Sequence, residues 1–162
     1  MRRAIELTAK AFAFAGGAVL VAMLGMSVAS ITGRAFLGRP IQGDFELVQL
    51  GCAVSVAAFL PWCQLSRANI FVDFFTNWLP KPVQALLDAL GALLLALVIG
   101  LVAWRAGLGA HAVWASGETA MISRYPQWIG YAAIVPSLAF TSVVALYTAW
   151  ESLKGSEQFT EK

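Results

Sequence analysis

Four long uncharged stretches run through this sequence, and short groups of charged residues separate them. The stretches extend from Ala11 to Gly33, from Leu47 to Ser66, from Ala89 to Trp104 and from Tyr125 to Trp150. A helix needs about 20 mostly apolar residues to cross the hydrocarbon core of a bilayer. The first, second and fourth stretches meet this length directly, and apolar flanking residues extend the third to a full span.

The pattern predicts an all-α integral membrane protein, because lipid offers a spanning backbone no hydrogen-bond partners outside its own helix. We expect a single membrane domain over residues 1–162. Its transmembrane spans are predicted at about 11–33, 46–66, 85–107 and 125–150. The first stretch follows Arg2 and Arg3, as in a secretory signal, but it is longer than the apolar region of about 7–15 residues that a signal has. We therefore expect it to be retained as a helix.

Between the second and third spans the pattern becomes two-sided. Polar residues recur at a nearly helical period from Asp73 to Asp88. The opposite face is apolar and holds Phe71, Phe74, Phe75 and Trp78. This arrangement predicts a short amphipathic helix over about residues 70–80 that lies in the inner membrane interface and ends at Pro80. A loop buried against the bundle is the alternative.

The positively charged residues indicate an orientation, because cytoplasmic loops are enriched in Lys and Arg. With the N-terminus inside, the inner side carries seven such residues and the outer side four. The inner set is Arg2, Arg3, Lys10, Arg67, Lys81, Lys154 and Lys162, and the outer set is Arg34, Arg39, Arg105 and Arg124. We therefore expect both termini in the cytoplasm. Arg39-Pro40 and the glycine-containing stretch from Gly107 to Ser123 are expected to be outer loops.

Composition supports a membrane protein and narrows the function. Hydrophobic residues make up 59% of the chain and charged residues 12%, against about 25% charged in a typical soluble domain. The net charge is only +2, so we expect no binding to nucleic acid. No acidic or basic residue is expected deep within a span, since Asp88 and Arg105 are placed near the interfaces. Carriers of charged solutes usually have ionisable groups at mid-membrane, so the sequence does not predict a complete transport pathway.

The residues that catalysis or cofactor binding needs are also missing from the sequence. The single histidine, His111, is expected in a loop, whereas bis-histidine haem ligation needs two. Cys52 and Cys63 do not form a Cys-x-x-Cys redox motif. No glycine-rich phosphate loop or zinc-type cluster occurs. We therefore predict a non-enzymatic chain without cofactor or metal.

Small residues recur at every fourth position along the first span. This stripe holds Ala13, Gly17, Val21, Gly25, Ala29 and Gly33. Small residues at such spacing let helices approach closely in lipid. The stripe is expected to contact either this chain's own helices or another protein.

Charged residues mark both ends of the second span. Glu46 is expected in its first turn, where the helix dipole favours a carboxylate, and Asp44 is a candidate N-cap. Arg67 follows the other end, and Asp73 comes six residues later. These two residues either anchor and cap the ends, or they form an ion pair that fixes the bend into the interfacial helix.

Three stretches of this sequence resemble the small, DctQ-type membrane subunit of tripartite ATP-independent periplasmic (TRAP) transporters. The first runs from Gly33-Arg34 through Pro40 to Asp44-Phe45-Glu46-Leu47, and the second from Ser66-Arg67 through Ile70-Phe71-Val72-Asp73 to Leu79-Pro80. The third is Tyr125-Pro126-Gln127-Trp128, followed by Tyr131 and Pro136. The motif residues carried by the resemblance are Arg34, Pro40, Asp44, Glu46, Arg67, Asp73, Pro80, Pro126 and Trp128. The likeness covers roughly residues 1–153.

The resemblance implies a role and partners. The family's small subunit docks on a large, DctM-type permease subunit that holds the sodium and substrate sites, and a periplasmic solute-binding protein delivers the solute. This implies a scaffold subunit in the bacterial inner membrane that braces the large subunit during uptake of an organic-acid-like solute. A self-contained small oligomeric carrier or channel, and a membrane anchor for a redox enzyme, are the alternatives.

Overall fold

A computed structural model of the chain describes residues 2–38, 41–66 and 81–160. These residues form four long α-helices. Helix α1 is Arg2–Leu37, α2 is Asp44–Leu65, α3 is Lys81–Ser116 and α4 is Trp128–Thr160. Each has a segment that is long and apolar enough to cross a membrane. The predicted all-α fold with four such helices is therefore confirmed, while the membrane boundaries themselves stay predictions.

The helices pack as an open row in the order α1, α2, α4, α3. Extensive contacts join α1 to α2, α2 to α4, and α4 to α3. Helices α2 and α4 run parallel. Leu50 lies against Gly130 near their N-termini, and two turns further along both helices the Ser137 hydroxyl donates a hydrogen bond of 2.6 Å to the Ala57 carbonyl. Helices α1 and α3 run antiparallel to this central pair, one on each side.

Small residues fill the interior, and large apolar side chains cover the exterior. The buried hydrophobic positions are mostly alanines. Leu94, Leu97 and Leu101 are among the many large side chains that are more than half exposed on α3. This is the arrangement expected in lipid, where large side chains lose nothing by facing outwards and small ones let backbones approach.

Two glycines set the distance between α1 and α2. A β-carbon at Gly16 would lie 2.9 Å from the Cβ atom of Ala58, and Gly51 lies directly against the side chain of Met23. Two members of the small-residue stripe of the first span, Gly17 and Gly25, take no part in this contact. Nothing lies within 4 Å of a β-carbon built at Gly17 or at Gly25, so these two positions are not at an interface within the described chain.

Helix α3 packs on α4 through a face of small residues. The buried members are Ala89, Ala92, Ala96 and Ala103. The Ser142 hydroxyl of α4 donates a hydrogen bond of 2.9 Å to the carbonyl of Ala96. A β-carbon at Gly107 would lie 3.9 Å from Val135, so the contact continues toward the C-terminal end of α3.

The stretch after Gly107 is helical, so the prediction of a loop there is wrong. Helix α3 continues to Ser116, and the connection to α4 is reduced to residues 117–127. His111 therefore lies on a helix, where it is exposed. The glycines suggested a break, but Gly109 packs against Tyr131 of α4, and only Gly117, with φ of 68°, has the left-handed backbone that ends a helix.

Several predicted features lie outside the described residues. They are the interfacial helix over 70–80 with Phe71, Phe74, Phe75 and Trp78, and the motif residues Pro40, Arg67, Asp73 and Pro80. The ion pair suggested between Arg67 and Asp73 is among them. These features stay predictions.

Candidate functional site

The start of α2 brings together polar side chains from three parts of the chain. We call this group the Asp44–Glu46 cluster. Its members are Ser30, Arg34, Asp44, Glu46 and Ser123. They come from the last turns of α1, the first turn of α2 and the loop 117–127.

Asp44 ties α1 to α2. Its carboxylate accepts a short hydrogen bond from the hydroxyl of Ser30, which is only 1% exposed. The same hydroxyl accepts a hydrogen bond of 3.3 Å from the backbone N–H of Ile41. The guanidinium of Arg34 lies 3.9 Å from the Asp44 carboxylate, but Arg34 is exposed, so solvent weakens this pair.

Asp44 is not the N-cap that the sequence predicts. Gly43 holds that position, and Asp44 is the first residue of α2. The Asp44 carboxylate accepts a hydrogen bond of 2.8 Å from the backbone N–H of Phe45. It therefore satisfies a free N–H group of the first turn from inside the helix, while its other oxygen contacts Ser30.

Glu46 ties α2 to the loop that precedes α4. Its carboxylate accepts hydrogen bonds from the backbone N–H of Ser123 at 3.0 Å and from the Ser123 hydroxyl at 2.6 Å. The backbone N–H of Ile122 lies 3.2 and 3.3 Å from its two oxygens. Hydrogen bonds to an ionised acceptor are stronger than those between neutral groups. One side chain thus holds two consecutive residues of the loop.

Gly43 allows the loop to approach this closely. Its φ of 77° is in the left-handed region, which side chains with a β-carbon rarely adopt. A β-carbon there would also lie 2.6 Å from the Cβ atom of Ser123. Glycine is therefore required at this position both by the backbone conformation and by the close contact.

The loop 117–127 is held in a narrow turn. The N–H of Ala120 donates to the Tyr125 carbonyl at 2.9 Å, and the N–H of Gln127 donates to the Glu118 carbonyl at 3.2 Å. Arg124 takes a left-handed conformation with φ of 53° at the bend. These backbone hydrogen bonds therefore fix the positions of the Ile122 and Ser123 N–H groups that Glu46 accepts from.

An open pocket of about 550 Å³ lies between the cluster, the loop and α4. Its polar lining comes from Glu46, Gln49, Tyr125, Gln127 and Tyr131, and the rest is mostly apolar. Burial, and to a smaller extent the neighbouring Glu46 carboxylate, raise the pKa of the Tyr125 phenol. The raised pKa keeps the Tyr125 phenol protonated at neutral pH.

Polar contacts also join the helices at the side of the bundle opposite the Asp44–Glu46 cluster, where α2 and α4 end. The Arg2 guanidinium lies 2.9 Å from the Glu151 carboxylate of α4 and 3.1 Å from that of Glu6. Deeper in, the buried Gln64 amide of α2 donates a hydrogen bond of 3.0 Å to the Thr148 hydroxyl of α4. Polar contacts therefore link α1, α2 and the chain around α4 at both ends of the helix axes.

These hydrogen bonds and ion pairs connect one helix to another or a helix to a loop. Within residues 2–38, 41–66 and 81–160, no three His, Cys, Asp or Glu side chains are grouped in a way that could hold a metal ion. The carboxylates of Asp44 and Glu46 are each occupied by donors of this chain. The contacts of this cluster therefore hold two helices and a loop of this chain together.

Comparison with known families decides the wider context. A family described as tripartite ATP-independent periplasmic transporters, DctQ component, matches residues 23–155, which is more than half of the chain. The chain belongs to the DctQ family. Comparisons with curated proteins and with solved structures gave no match. The predicted resemblance is confirmed, and DctQ is a family of transporter components and not of enzymes, in agreement with the predicted non-enzymatic role.

The DctQ-family motif residues that the structure describes fall into two groups. Arg34, Asp44 and Glu46 meet in the cluster. Pro126 forms an isolated bridge with Thr119 across the loop, and Trp128, which is 40% exposed, begins α4. The last two shape the start of α4 and do not join the cluster. The functional roles of all these residues stay predictions.

The sequence did not predict several residues of the DctQ-family chain that form or adjoin the Asp44–Glu46 cluster. Ser30 lies inside a long apolar stretch, and Ser123 lies in a loop far along the chain from Glu46, so neither has a local sequence signal. Gly43 carries one, because a glycine directly before an acidic helix start indicates a tight turn.

Proposed function

We propose that this chain is the non-catalytic small subunit of a sodium-coupled TRAP transporter and that it braces a large, DctM-type permease subunit. In this proposal the transporter takes up an organic-acid-like solute delivered by a periplasmic solute-binding protein. The chain lies in the bacterial inner membrane with both termini in the cytoplasm. Membership of the DctQ family supports the partner set, and the excess of Lys and Arg on the N-terminal side supports the orientation.

The clamp made by Glu46 is the observation that carries the scaffold role. One carboxylate fixes Ile122 and Ser123 to the start of α2, and Asp44 fixes the same turn to α1. A subunit that braces a moving partner must keep its own helices in a constant arrangement. Polar contacts at both ends of the helix axes favour such a constant arrangement.

Transport by reconstituted components tests the proposal. We expect the purified chain alone in proteoliposomes to take up no organic acid. The chain together with the large subunit, the solute-binding protein and an inward sodium gradient is expected to do so. Omission of the chain is expected to abolish uptake or reduce it strongly. Uptake by the chain alone would instead favour a self-contained carrier, and haem or quinone bound to the purified chain would favour a redox anchor.

A further inference from the structure

Arg105 stands alone in a long apolar part of the chain. It is the single Asp, Glu, Lys or Arg between Asp88 and Glu118. The sequence predicts the third span to end at about residue 107, which would place Arg105 near the membrane interface. Helix α3 instead continues beyond it, from Ala106 to Ser116. This extension adds about 16 Å of helix and carries no acidic or basic group apart from His111.

The packing register places Arg105 well inside the row. Gly107 lies against Val135 of the antiparallel α4, so Arg105, two residues earlier, lies at about the height of Ser137. The Ser137 hydroxyl bonds to the carbonyl of Ala57, and Ala57 falls in the middle third of α2, which runs from Asp44 to Leu65. Helix α2 is just long enough to cross a bilayer. Arg105 is therefore at the depth of the apolar phase if α2 spans it.

Arg105 points away from this chain's own helices. Ala96 is buried and its carbonyl bonds to α4. Arg105 follows nine residues later, which at about 100° per residue is the opposite side of the helix. Its neighbours on that side are Leu94, Val98 and Leu101, which are 64%, 55% and 60% exposed. Arg105 itself is exposed, and it has no ion pair with any residue in the described part of the chain.

A guanidinium at this depth needs an anionic partner, because a charged group in hydrocarbon is costly and is almost always paired. Phospholipid headgroups are the first source to consider. The Cα–Cβ bonds of a helix tilt toward its N-terminus, so the Arg105 side chain starts toward Lys81. The nearer end of α3 is Ser116, about three turns away, whereas Lys81 is more than twice as far in the other direction. Reaching a headgroup by the shorter route runs against the direction of the side chain.

We propose that Arg105 forms an ion pair with an Asp or Glu carboxylate on a membrane helix of the large permease subunit. The exposed face of α3 formed by Leu94, Val98, Leu101 and Arg105 is the surface on which that helix lies. This inference rests on the proposed function and names a contact that family membership leaves open. Burying the arginine between two helices removes both charges from lipid, and it explains a lone cation in an otherwise apolar face.

Co-purification with the large subunit tests the proposal. The tagged chain is co-expressed with the large subunit and purified in mild detergent, and the ratio of the two proteins is measured. Arg105→Leu is expected to lower the recovered large subunit by about tenfold or more, because it leaves the partner carboxylate buried and unpaired. Arg105→Lys is expected to keep most of it. Arg3→Leu, which removes an exposed arginine from the first turn of α1, is the matched control and is expected to change nothing.

A second set of variants finds the partner. In the Arg105→Leu background, each Asp and Glu in the predicted spans of the large subunit is changed to Asn or Gln. One of these changes is expected to restore co-purification, because it removes the unpaired charge. The isolated Arg105→Leu chain is expected to be as thermally stable as the wild type or more so, which excludes misfolding as the cause of the loss.

The outcomes separate this inference from the proposed function. A wild-type chain that recovers no large subunit overturns both. Equal recovery by wild type and Arg105→Leu overturns only the ion pair. Loss of a bound anionic phospholipid from Arg105→Leu, measured by mass spectrometry with the large subunit retained, would show that a headgroup is the partner. A destabilised isolated Arg105→Leu chain would show a partner within the chain. Either result overturns the proposal.

Discussion

At the scale of single residues, the conformation of Gly43 determines how α2 begins. Its left-handed backbone turns the chain from α1 into α2, and the missing side chain leaves space for Ser123. The hydrogen bonds of Glu46 then form across this contact. The backbone turn and the clamp therefore depend on each other.

The substitution Gly43→Ala is expected to destabilise the chain more than Gly38→Ala. Both glycines have positive φ, at 77° and 64°, so each alanine pays about 1–2 kcal/mol for the left-handed backbone. Only at Gly43 does the new β-carbon also meet another residue, because nothing lies within 4 Å at Gly38. Thermal unfolding in detergent measures both variants. Equal losses would mean that the loop can move away from Gly43 at no cost.

Removing the Glu46 carboxylate is expected to release the loop 117–127. Glu46→Ala leaves the N–H groups of Ile122 and Ser123 without their acceptor, so we expect a lower unfolding temperature and faster proteolysis within the loop. Glu118→Ala removes an exposed carboxylate from the same loop and serves as the control. Indistinguishable proteolysis rates in the two variants would contradict the clamp.

At the scale of helices, α1 offers a direct comparison between adjacent glycines. A β-carbon at Gly16 would lie 2.9 Å from Ala58 and 3.2 Å from the Ser55 carbonyl oxygen, whereas Gly17 has open space. Gly16→Leu is expected to separate α1 from α2 and to cost about 1–3 kcal/mol or more. Gly17→Leu is expected to leave the stability of the isolated chain unchanged. The unfolding temperatures of the two variants check this, and a larger loss for Gly17→Leu would place the α1–α2 interface on the wrong face.

The four helices were predictable because each contains a continuous apolar stretch that can be recognised in the sequence without knowledge of tertiary contacts. The prediction failed where tertiary packing overrode a local signal. The glycines from Gly107 onward suggested a loop, but contacts with Val135 and Tyr131 of α4 keep this stretch helical. The expectation that Arg105 lies close to the end of its helix failed for the same reason, since α3 continues to Ser116.

The candidate site was predictable only in part. Asp44 and Glu46 stood out because acidic residues are favoured at a helix start. Their partners could not be found, since Ser30 and Ser123 are common residue types in unremarkable contexts, and the contacts span 14 and 77 positions. Such pairs are set by how α1, α2 and the loop 117–127 meet in the folded chain, and this arrangement has no signal in the local sequence.

At the scale of the whole molecule, the orientation across the membrane can be measured. Cys52 and Cys63 are both free and exposed, so serine is first placed at both positions. In that background, Glu118→Cys in the loop 117–127 is expected to react with a membrane-impermeant maleimide added from the periplasmic side. Lys154→Cys, near the other end of α4, is expected to react only after the inner membrane is opened. The reverse pattern would invert the proposed topology.

The row arrangement has a mechanical consequence. In a closed ring of helices each member has two neighbours, and a strain on one is shared between them. Here the main contact of α3 in the described chain is with α4 alone, and that of α1 is with α2. A pull exerted on the outer face of α3 reaches α1 and α2 mainly through α4, which contacts α1 at the Arg2–Glu151 ion pair and at the stacked rings of Phe12 and Phe140. The alanine face of α3 and the Ser142–Ala96 hydrogen bond are therefore where such a force concentrates, and where a weakened contact would let α3 be displaced while the other three helices stay together.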